Sequence, residues 1–419
     1  MSIFRKIINW LDDVAYVWRK ELKHVFRDEG VLIFCIVVPL VYPLLYSWLY
    51  NNETVHEVPV VVVDQSNSQE SREFIRMCDA SPDVKVAYHA VDLDDAKSLV
   101  SRQVAKGIYF IPEDFATRLN RLEQATVSVY CDMALMLTYK AIYQTALAVT
   151  TEMGVTIKKH LLGNYTARDD LVATSPLHIE EVSIFNPSGG YGSSVLPAVL
   201  FLIIQQTLAL GVGLAAGTAR ERSRYSDLVP INKCYSSVGR IICGKSLCYL
   251  MIYAVMCTYL AVVVPRIFNF IHIATWQSLL ALLVPYLLAC VLFAQTVSCL
   301  VHYRENVILL MVFVSVPLLF LSGVSWPQSS IPSFWQVVSW IFPSTFGIRA
   351  FVRLNSMGAT LHYIRVEYEA LWIQVVVYFF ATCAVYRYQI IHTRRRALER
   401  LNYMKERAQA AKSKKDMNL

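Results

Sequence analysis

Hydrophobic residues fall into six long runs along this 419-residue chain. No Asp, Glu, Lys, Arg or His lies inside any of these runs, which cover residues 31–50, 193–217, 246–264, 276–301, 307–323 and 370–386. Each run is close to the ~20 residues that a helix needs to cross a bilayer. The pattern predicts a polytopic α-helical membrane protein with six transmembrane helices. Because ion-coupled carriers need ionisable groups within the membrane, we expect another subunit to supply the energy for any uphill transport.

Shorter apolar segments alternate with polar ones between the first and second runs. The pattern predicts strands and helices in turn, with strands at residues 58–63, 84–88, 105–111 and 126–130 and helices at 68–78, 93–100, 114–122 and 135–162. Such alternation is typical of an α/β domain with an open sheet. Asp64 and Asp132 follow predicted strands, and capping of a turn is the favoured role for both over a functional one.

Charge orients the predicted helices in the membrane. Residues 51–185 hold 12 Lys and Arg against 19 Asp and Glu, whereas the whole chain has a net charge of +7. Basic residues cluster before the first run, between the second and third runs, and after the sixth. By the positive-inside rule these three regions are cytoplasmic. We therefore expect both termini inside and an extracytoplasmic α/β domain between the first and second helices, so the basic excess indicates topology rather than nucleic-acid binding.

These patterns together predict five consecutive regions. They are an amphipathic interfacial helix on the cytoplasmic side (1–28), the first transmembrane helix (29–50), the extracytoplasmic α/β domain (51–185), a region of five transmembrane helices (186–391) and a basic cytoplasmic tail (392–419). The first region has apolar residues at helical spacing, namely Phe4, Ile7, Ile8, Leu11, Ala15, Trp18, Leu22 and Val25. This helix either anchors the chain at the inner membrane surface or docks a cytoplasmic partner through Trp18 and Lys20, and the two roles are compatible.

The chain shows no pattern of catalytic or metal-binding residues. Eight of its ten cysteines lie in or beside the apolar runs, where a thiol behaves as a small apolar group. Cys78 and Cys131 lie in the α/β segment and either pair in an oxidising compartment or stay as buried thiols. No Cys or His spacing resembles zinc ligation, and we expect neither a metal site nor a catalytic residue.

One motif matches a nucleotide-binding pattern, but the sequence around it excludes that role. Residues 239–246 satisfy the pattern G-x-x-x-x-G-K-[ST] of a phosphate-binding loop. That loop must follow a buried strand and open a helix, so that its N–H groups surround the phosphates. Here no strand pattern precedes the motif and a membrane run follows it. We expect Lys245 to extend to lipid phosphates at the cytoplasmic surface instead.

Three stretches resemble permease subunits of type-two ATP-binding-cassette exporters. Residues 219–230, ARERSRYSDLVP, followed by Gly244 and Lys245, are similar to the family pattern R-E-R-E-x-G-T-x-E-x-L-x-x-x-P with a later G-K. Residues 321–327, LSGVSWP, with later prolines, are similar to a re-entrant S-G-x-x-x-P segment. The strand VPVVVVD and the segment IPEDF at 111–115 resemble the branch of the family with a large ectodomain.

The resemblance implies roles for two segments of the five-helix region. A cytoplasmic coupling loop at 218–238 would contact the ATPase through Glu221, Arg222, Arg224 and Asp227. The alternative is that these charges only mark the membrane boundary. A re-entrant segment at 324–346 would be shaped by Gly323, Pro327, Pro332 and Pro343.

The resemblance also implies a function. It indicates the permease subunit of an exporter, working with a second copy or a close paralogue and driven by separate cytoplasmic ATPase subunits. Those subunits would bind ATP and Mg²⁺, and this chain would bind no cofactor. A bacterial inner membrane is implied, with a periplasmic adaptor and an outer-membrane channel as further partners. The alternative is a membrane-anchored sensor or receptor whose extracytoplasmic domain binds a ligand, but it leaves five closely spaced helices without a role.

Few polar residues lie at membrane depth. Gln205, Gln206 and Gln295 either line the transport path or form hydrogen bonds between helices. Gly213 and Gly217 form a small-x-x-x-small pair that permits close helix packing. This pair serves either a dimer interface or packing within the chain.

Overall fold

The chain forms a membrane unit and a smaller α/β unit. A computed structural model describes residues 3–51, 54–121, 123–162, 185, 190–221, 238–270, 272–299 and 303–416. Met1–Asn51 with Gly190–Leu419 make up the membrane unit, and Asn52–Gly189 make up the α/β unit. Among the described residues, six helices are long and apolar enough to cross a membrane, and each contains most of one predicted run.

The elements follow one another in the order that the hydrophobic pattern predicts. In chain order they are α1 (Ile3–Arg27), α2 (Glu29–Leu49, the first span), β1 (Val58–Asp64), α3 (Gln69–Asp79), β2 (Val84–His89), α4 (Leu93–Ser101), β3 (Gly107–Ile111), α5 (Phe115–Asn120), β4 (Ser128–Cys131), α6 (Met136–Leu162), α7 (Tyr191–Glu221, the second span), α8 (Val238–Ile267, the third), α9 (Trp276–Val297, the fourth), α10 (Arg304–Leu321, the fifth), α11 (Ser333–Ser339), α12 (Pro343–Met357) and α13 (Arg365–Asp416, which contains the sixth span).

Two of the described spans contain a wide helical turn that ends two residues before a proline. Ile33–Val37 in α2 and Tyr259–Val263 in α8 form π-helical turns, and Pro39 and Pro265 follow each turn by two residues. A proline inside a helix lacks an N–H and its ring collides with the carbonyl four residues earlier. That carbonyl belongs to the wide turn in both spans, so the extra residue relieves the collision and both helices continue.

The second span forms the centre of the membrane unit. In an apolar 18-residue segment of this span, 83% is buried, whereas the corresponding shares for the first, fifth and sixth spans are 28%, 22% and 17%. Phe201 of α7 stacks on Phe351 of α12 with ring centroids 4.0 Å apart, and on Tyr286 of α9 at 4.9 Å. The Tyr286 hydroxyl donates to the carbonyl of Phe201 over 2.7 Å. These contacts fix the second span against the fourth span and α12.

The glycine pair of the second span serves packing within the chain. A methyl group added at Gly213 would lie 2.6 Å from a methyl carbon of Val307, and one at Gly217 would lie 3.0 Å from the Cα of Arg304. Both contacts involve the first residues of α10. Of the two roles left open by the sequence, the structure therefore supports the intramolecular one, because larger side chains would push the fifth span away from the second.

The segment after the fifth span contains two short helices and returns to the centre of the unit. Gly323 has a φ of +87°, in the region that favours glycine. Pro327 and Pro332 precede a 3₁₀ turn and α11, and Pro343 begins α12, as expected where a helix does not need the proline N–H. Arg349 of α12 donates to the carbonyls of Ser322 and Leu321. This arginine thereby caps the end of the fifth span.

The described residues of the α/β unit form one four-stranded sheet in the order β2-β1-β3-β4. β1 runs parallel to β2 and to β3, and β4 runs antiparallel to β3. Val60 and Val62 face a core shared with α3, α5 and α6, whereas Val61 and Val63 face a second core under α4. Strand β1 is therefore buried on both faces, which explains why its apolar run is continuous rather than alternating.

The carboxylates at the strand ends have structural partners. Asp64 accepts from the N–H groups of Ser66 and Asn67 and from the Ser71 hydroxyl. Asp132 accepts from the N–H of Ala134. Both aspartates stabilise the turn that follows their strand, in agreement with the favoured prediction.

The two cysteines of the α/β unit are free thiols. Cys78 is fully buried beneath β1 and β3. Burial raises the pKa of the Cys78 thiol to about 12, with a smaller contribution from the nearby carboxylate of Asp79. Burial also raises the pKa of Cys131. Both groups are thus protonated at neutral pH and are poor nucleophiles.

Candidate functional site

Three ion pairs join the N-terminal segment, consisting of α1 and Asp28 directly after it, to the third and fifth spans. They are Asp13 with Arg240, Glu21 with Lys245, and Asp28 with Arg304, and we call this line of pairs the charge seam. The three acidic residues are seven or eight positions apart, which places them on one face of α1 and its extension. The same face buries the side chains of Val14, Val17 and Val25. One face of α1 therefore carries both the apolar contacts and the charges that hold it against α8, and Asp28 beyond its end pairs with α10.

The central pair of the seam is buried. The side chains of Glu21 and Lys245 are 9% and 8% exposed, and Lys245 Nζ lies 3.3 Å from Glu21 Oε2. The other carboxylate oxygen, Oε1, accepts from the hydroxyl of Tyr249 over 3.0 Å. The ammonium also lies 5.9 Å from the ring centre of Tyr386, within the distance for a cation–π contact. Each charge thus has partners that offset its removal from water.

The expectation that Lys245 extends to lipid phosphates was wrong. It assumed that the start of the third span faces lipid on the cytoplasmic side. In the structure α1 covers this part of α8, and Glu21 supplies a carboxylate within reach of the ammonium. A buried cation with an adjacent anion does not need to extend to the membrane surface.

The motif at 239–246 lies inside a continuous helix. All eight residues belong to Val238–Thr258, so the motif does not form the strand–loop–helix turn that surrounds phosphates. A methyl group added at Gly244 would lie 2.6 Å from Val17 Cβ and 3.0 Å from the carbonyl oxygen of Val14. Ser246 accepts a hydrogen bond from Gln295 Nε2 over 3.1 Å. Gly244, Lys245 and Ser246 therefore hold α1 and the fourth span against the third span.

The predicted apolar face of α1 is divided between two environments. Trp18, Leu22 and Val25 pack against the core of the membrane unit, whereas Ile7, Ile8 and Leu11 are exposed. The indole N–H of Trp18 is buried without a hydrogen-bond partner among the described residues. Docking through Trp18 and Lys20 stays a prediction, since α1 has both a face on the spans and an exposed apolar face.

The predicted coupling residues lie at or beyond the end of the second span. Glu221 is the last residue of α7, and Arg222, Arg224 and Asp227 lie outside the described residues. Arg220 donates to the carbonyl of Ser298 over 2.9 Å, so the end of the second span is tied to the end of the fourth. The contacts proposed for the loop stay predictions.

A cavity of about 460 Å³ lies between the first, second and fifth spans, and we call it the span cavity. Tyr42, Tyr46 and Tyr50 line one side, and residues of α7 and α10 line the others. Adjacent tyrosine rings have centroids 4.7 Å and 6.1 Å apart. Of the residues that the structure describes along its walls, none is Asp, Glu, Lys, Arg or His. The volume is in the range of small-molecule sites.

The three glutamines predicted as possible path-lining residues have different surroundings. Gln205 Oε1 accepts from the N–H of Ser344 over 2.5 Å, and Gln295 donates to Ser246. These two residues connect helices. Gln206 lines the span cavity, is 8% exposed, and has no hydrogen-bond partner for either amide atom among the described residues. That these glutamines line the transport path stays a prediction. Of the three, Gln206 has the most suitable position, because it lines the span cavity.

The sequence analysis did not predict a role for the tyrosines of the span cavity. Their spacing of four residues in the first span is visible in the sequence, and residues four apart share one helix face. That signal predicts an aromatic stripe, but it does not reveal whether the stripe faces lipid, a packed neighbour or a cavity.

A family model described as ABC-2 family transporter protein matches residues 30–384. The chain belongs to this family. The match contains all of the α/β unit and most or all of each of the six spans, and it begins just after α1. None of the curated proteins matches the chain significantly. Members of the ABC-2 family are the membrane subunits of transporters, typically lack an ATPase of their own, and work with ATP-binding-cassette ATPase subunits.

The charge seam connects a segment outside the family match to segments within it. Asp13, Glu21 and Asp28 precede residue 30, whereas Arg240, Lys245 and Arg304 lie inside the match. In this ABC-2 transporter the N-terminal helix is therefore attached to the transport unit by buried contacts as well as by the chain itself.

Proposed function

We propose that this chain is the permease subunit of an exporter. Two copies, or one copy and a close paralogue, form the substrate path, and separate cytoplasmic ATPase subunits supply the energy. Those subunits bind ATP and Mg²⁺, and this chain binds no cofactor. Family membership supports the transport role. The basic clusters at both ends of the chain and beside the third span support cytoplasmic termini and an extracytoplasmic α/β unit.

The charge seam is the observation that carries this proposal. Asp13 and Glu21 attach α1 to the third span, a few residues after the 222–237 connection, and Asp28, between α1 and the first span, attaches that junction to the fifth span. A partner that binds the exposed side of α1 and the 222–237 connection can therefore move the third and fifth spans together. The fifth span also lines the span cavity, so movement at the cytoplasmic end would reach the cavity wall through one continuous helix.

The burial of the spans supports a second copy as partner. Within one chain, the first and fifth spans are among the least buried, and both border the span cavity. A second permease packed on this face would bury them and bring two cavities together into one path.

The α/β unit would lie outside the membrane. Its expected partners there are a periplasmic adaptor and an outer-membrane channel, if the chain resides in a bacterial inner membrane.

Co-purification with the cognate ATPase subunit tests the proposal. The tagged chain should retain that subunit and activate its ATP hydrolysis in lipid nanodiscs. Glu21→Gln should reduce both retention and activation, because it breaks the central ion pair of the seam. Glu367→Gln is the matched control, since Glu367 is also a buried carboxylate in an ion pair, here with the exposed Arg353 at the start of the sixth span. A chain that retains no ATPase subunit, or equal loss in the two variants, would contradict the proposal.

A further inference from the structure

The walls of the span cavity indicate the chemistry of its ligand. We propose that this cavity binds an uncharged aromatic amphiphile, with its rings on the Tyr42–Tyr46–Tyr50 stripe and a carbonyl or hydroxyl group paired with the Gln206 amide. As a statement about the exported substrate, this inference rests on the function proposed above. As a statement about binding, it rests on the cavity alone.

The absence of charge on the walls selects an uncharged ligand. None of the described residues that line the cavity is Asp, Glu, Lys, Arg or His, so these walls offer no counter-ion to a carboxylate, a phosphate or an ammonium group. An ion that leaves water for an apolar site without a partner pays a large desolvation penalty. An uncharged molecule enters the same cavity from the bilayer without that penalty.

The tyrosine stripe selects aromatic rings. The rings of Tyr42 and Tyr46 lie 4.7 Å apart at a tilt of 49°, and those of Tyr46 and Tyr50 lie 6.1 Å apart at 36°. The Tyr42 hydroxyl donates to the Tyr46 hydroxyl over 3.2 Å, which holds the first two rings in register. Centroid separations of 4.5–7 Å are typical of favourable aromatic pairs. The stripe therefore presents ring faces and edges along one wall, against aliphatic side chains on the other walls.

The Gln206 amide selects a polar group at one position. The other polar side chains of the second and fifth spans on the wall have partners on their own helices, because Thr207 donates to the Ile203 carbonyl and Ser315 donates to the Val312 carbonyl. Gln206 is more than nine-tenths buried and has no partner for Nε2 or Oε1 among the described residues. An unmet buried amide is unfavourable, and a ligand with one carbonyl or hydroxyl group removes that penalty on binding.

Benzophenone is a suitable probe because it has two aryl rings, one carbonyl group and no charge, and it cross-links to its site under ultraviolet light. The full-length chain in nanodiscs, without an ATPase subunit, is titrated with benzophenone, and the labelled peptides are identified by mass spectrometry. We expect saturable labelling of peptides from α2, α7 and α10. Two matched probes carry a charge on the same skeleton, 4-benzoylbenzoic acid and (4-benzoylbenzyl)trimethylammonium. Their saturable labelling should be at least roughly tenfold weaker, because the cavity has no counter-ion.

Variants separate the two contacts. Gln206→Leu removes the hydrogen bond at similar side-chain size, and it should weaken benzophenone labelling about fivefold, within the range of one neutral hydrogen bond. Tyr46→Leu should weaken it by a similar factor through loss of ring contact. Phe380→Ala is the matched control, since Phe380 is an exposed aromatic residue of the sixth span outside the cavity. Gln206→Glu should reverse the preference in favour of the cationic probe.

Three results would overturn the inference. They are saturable labelling outside the cavity, equal labelling by the charged probes, and an effect of Phe380→Ala equal to that of Gln206→Leu. A chain that activates its ATPase partner but shows no saturable labelling would refute the ligand class and leave the permease function standing. Saturable labelling of the cavity by a chain that retains no ATPase subunit would refute the permease function and leave the binding site standing.

Discussion

Glu21 of the N-terminal helix and Lys245 of the third span form a buried ion pair with a separation of 3.3 Å. The Tyr249 hydroxyl donates to the second oxygen of the same carboxylate. The pair joins a helix that precedes all six spans to the start of the third span. Each residue is the counter-ion of the other. The loss of either one leaves an unpaired charge in an environment with little water.

The first prediction concerns the energy of this pair. Lys245→Met alone should destabilise the chain by about 3–5 kcal/mol, because it leaves the Glu21 carboxylate buried without its cation. Glu21→Leu combined with Lys245→Met should recover most of the loss, since an apolar pair of similar volume replaces the ions. Thermal unfolding in detergent measures both effects. If the losses of the single variants simply add in the double variant, the two residues are not coupled.

A second prediction concerns the close approach of α1 to the third span. Gly244→Leu should place side-chain atoms where Val14 and Val17 now lie, with a loss of about 1–3 kcal/mol through overpacking. Gly154→Leu is the control, because a methyl group added at Gly154 would have no described atom within 4 Å apart from its chain neighbours and its own helix backbone. Thermal unfolding again provides the measurement, and equal stability of the two variants would show that α1 does not pack at Gly244.

The third prediction concerns nucleotide binding. The purified chain alone should neither bind nor hydrolyse ATP, since the residues of the 239–246 motif are helical and engaged in helix packing. A fluorescent ATP analogue measures binding to the chain and to its complex with the ATPase subunit. Lys245→Ala should leave the amount of ATP bound per retained ATPase subunit unchanged, although it weakens retention of that subunit by breaking the pair with Glu21. Saturable binding to the chain alone, lost in Lys245→Ala, would restore the motif as a nucleotide site.

The fourth prediction concerns orientation in the membrane. Gln69→Cys lies on an exposed position at the start of α3 and should react with a membrane-impermeant thiol reagent in intact cells. Ser413→Cys, in the basic tail, should react only after the cells are permeabilised. These outcomes follow from the distribution of Lys and Arg. Labelling of the tail position but not of Gln69→Cys in intact cells would invert the orientation.

The fifth prediction concerns coupling. Glu221→Ala and Arg222→Ala should each reduce export and partner-activated ATP hydrolysis, because loss of a buried charge contact at an interface costs about 2–5 kcal/mol. A charge that only marks the membrane boundary would contribute roughly 0–1 kcal/mol. Trp18→Glu should also reduce retention of the partner. Glu305→Ala, a change of acidic charge in the first turn of the fifth span, is the control. Full activity of both loop variants at normal expression would assign the loop to topology alone.

Much of the fold was predictable because its determinants are local. The length of each apolar run predicted a span, and continuous or alternating apolar residues predicted the strands and helices of the α/β unit. Ser68 and Asp92 cap two of these helices, and each accepts the N–H three residues later. These features depend on the period of the backbone and on hydrogen bonds between near neighbours in the chain, so the sequence contains them directly.

The contacts of the candidate site were decided by tertiary structure. Lys245 was expected at the lipid surface, and only the placement of α1 over the third span gives it Glu21 as a partner. Gln205 and Gln206 are adjacent in the sequence, yet one accepts a hydrogen bond from Ser344 and the other faces the span cavity. Successive helical residues point about 100° apart, so the rotation of the second span against its neighbours decides which side chain meets a partner and which meets empty space. That rotation depends on contacts between segments far apart in the chain, which no local pattern specifies.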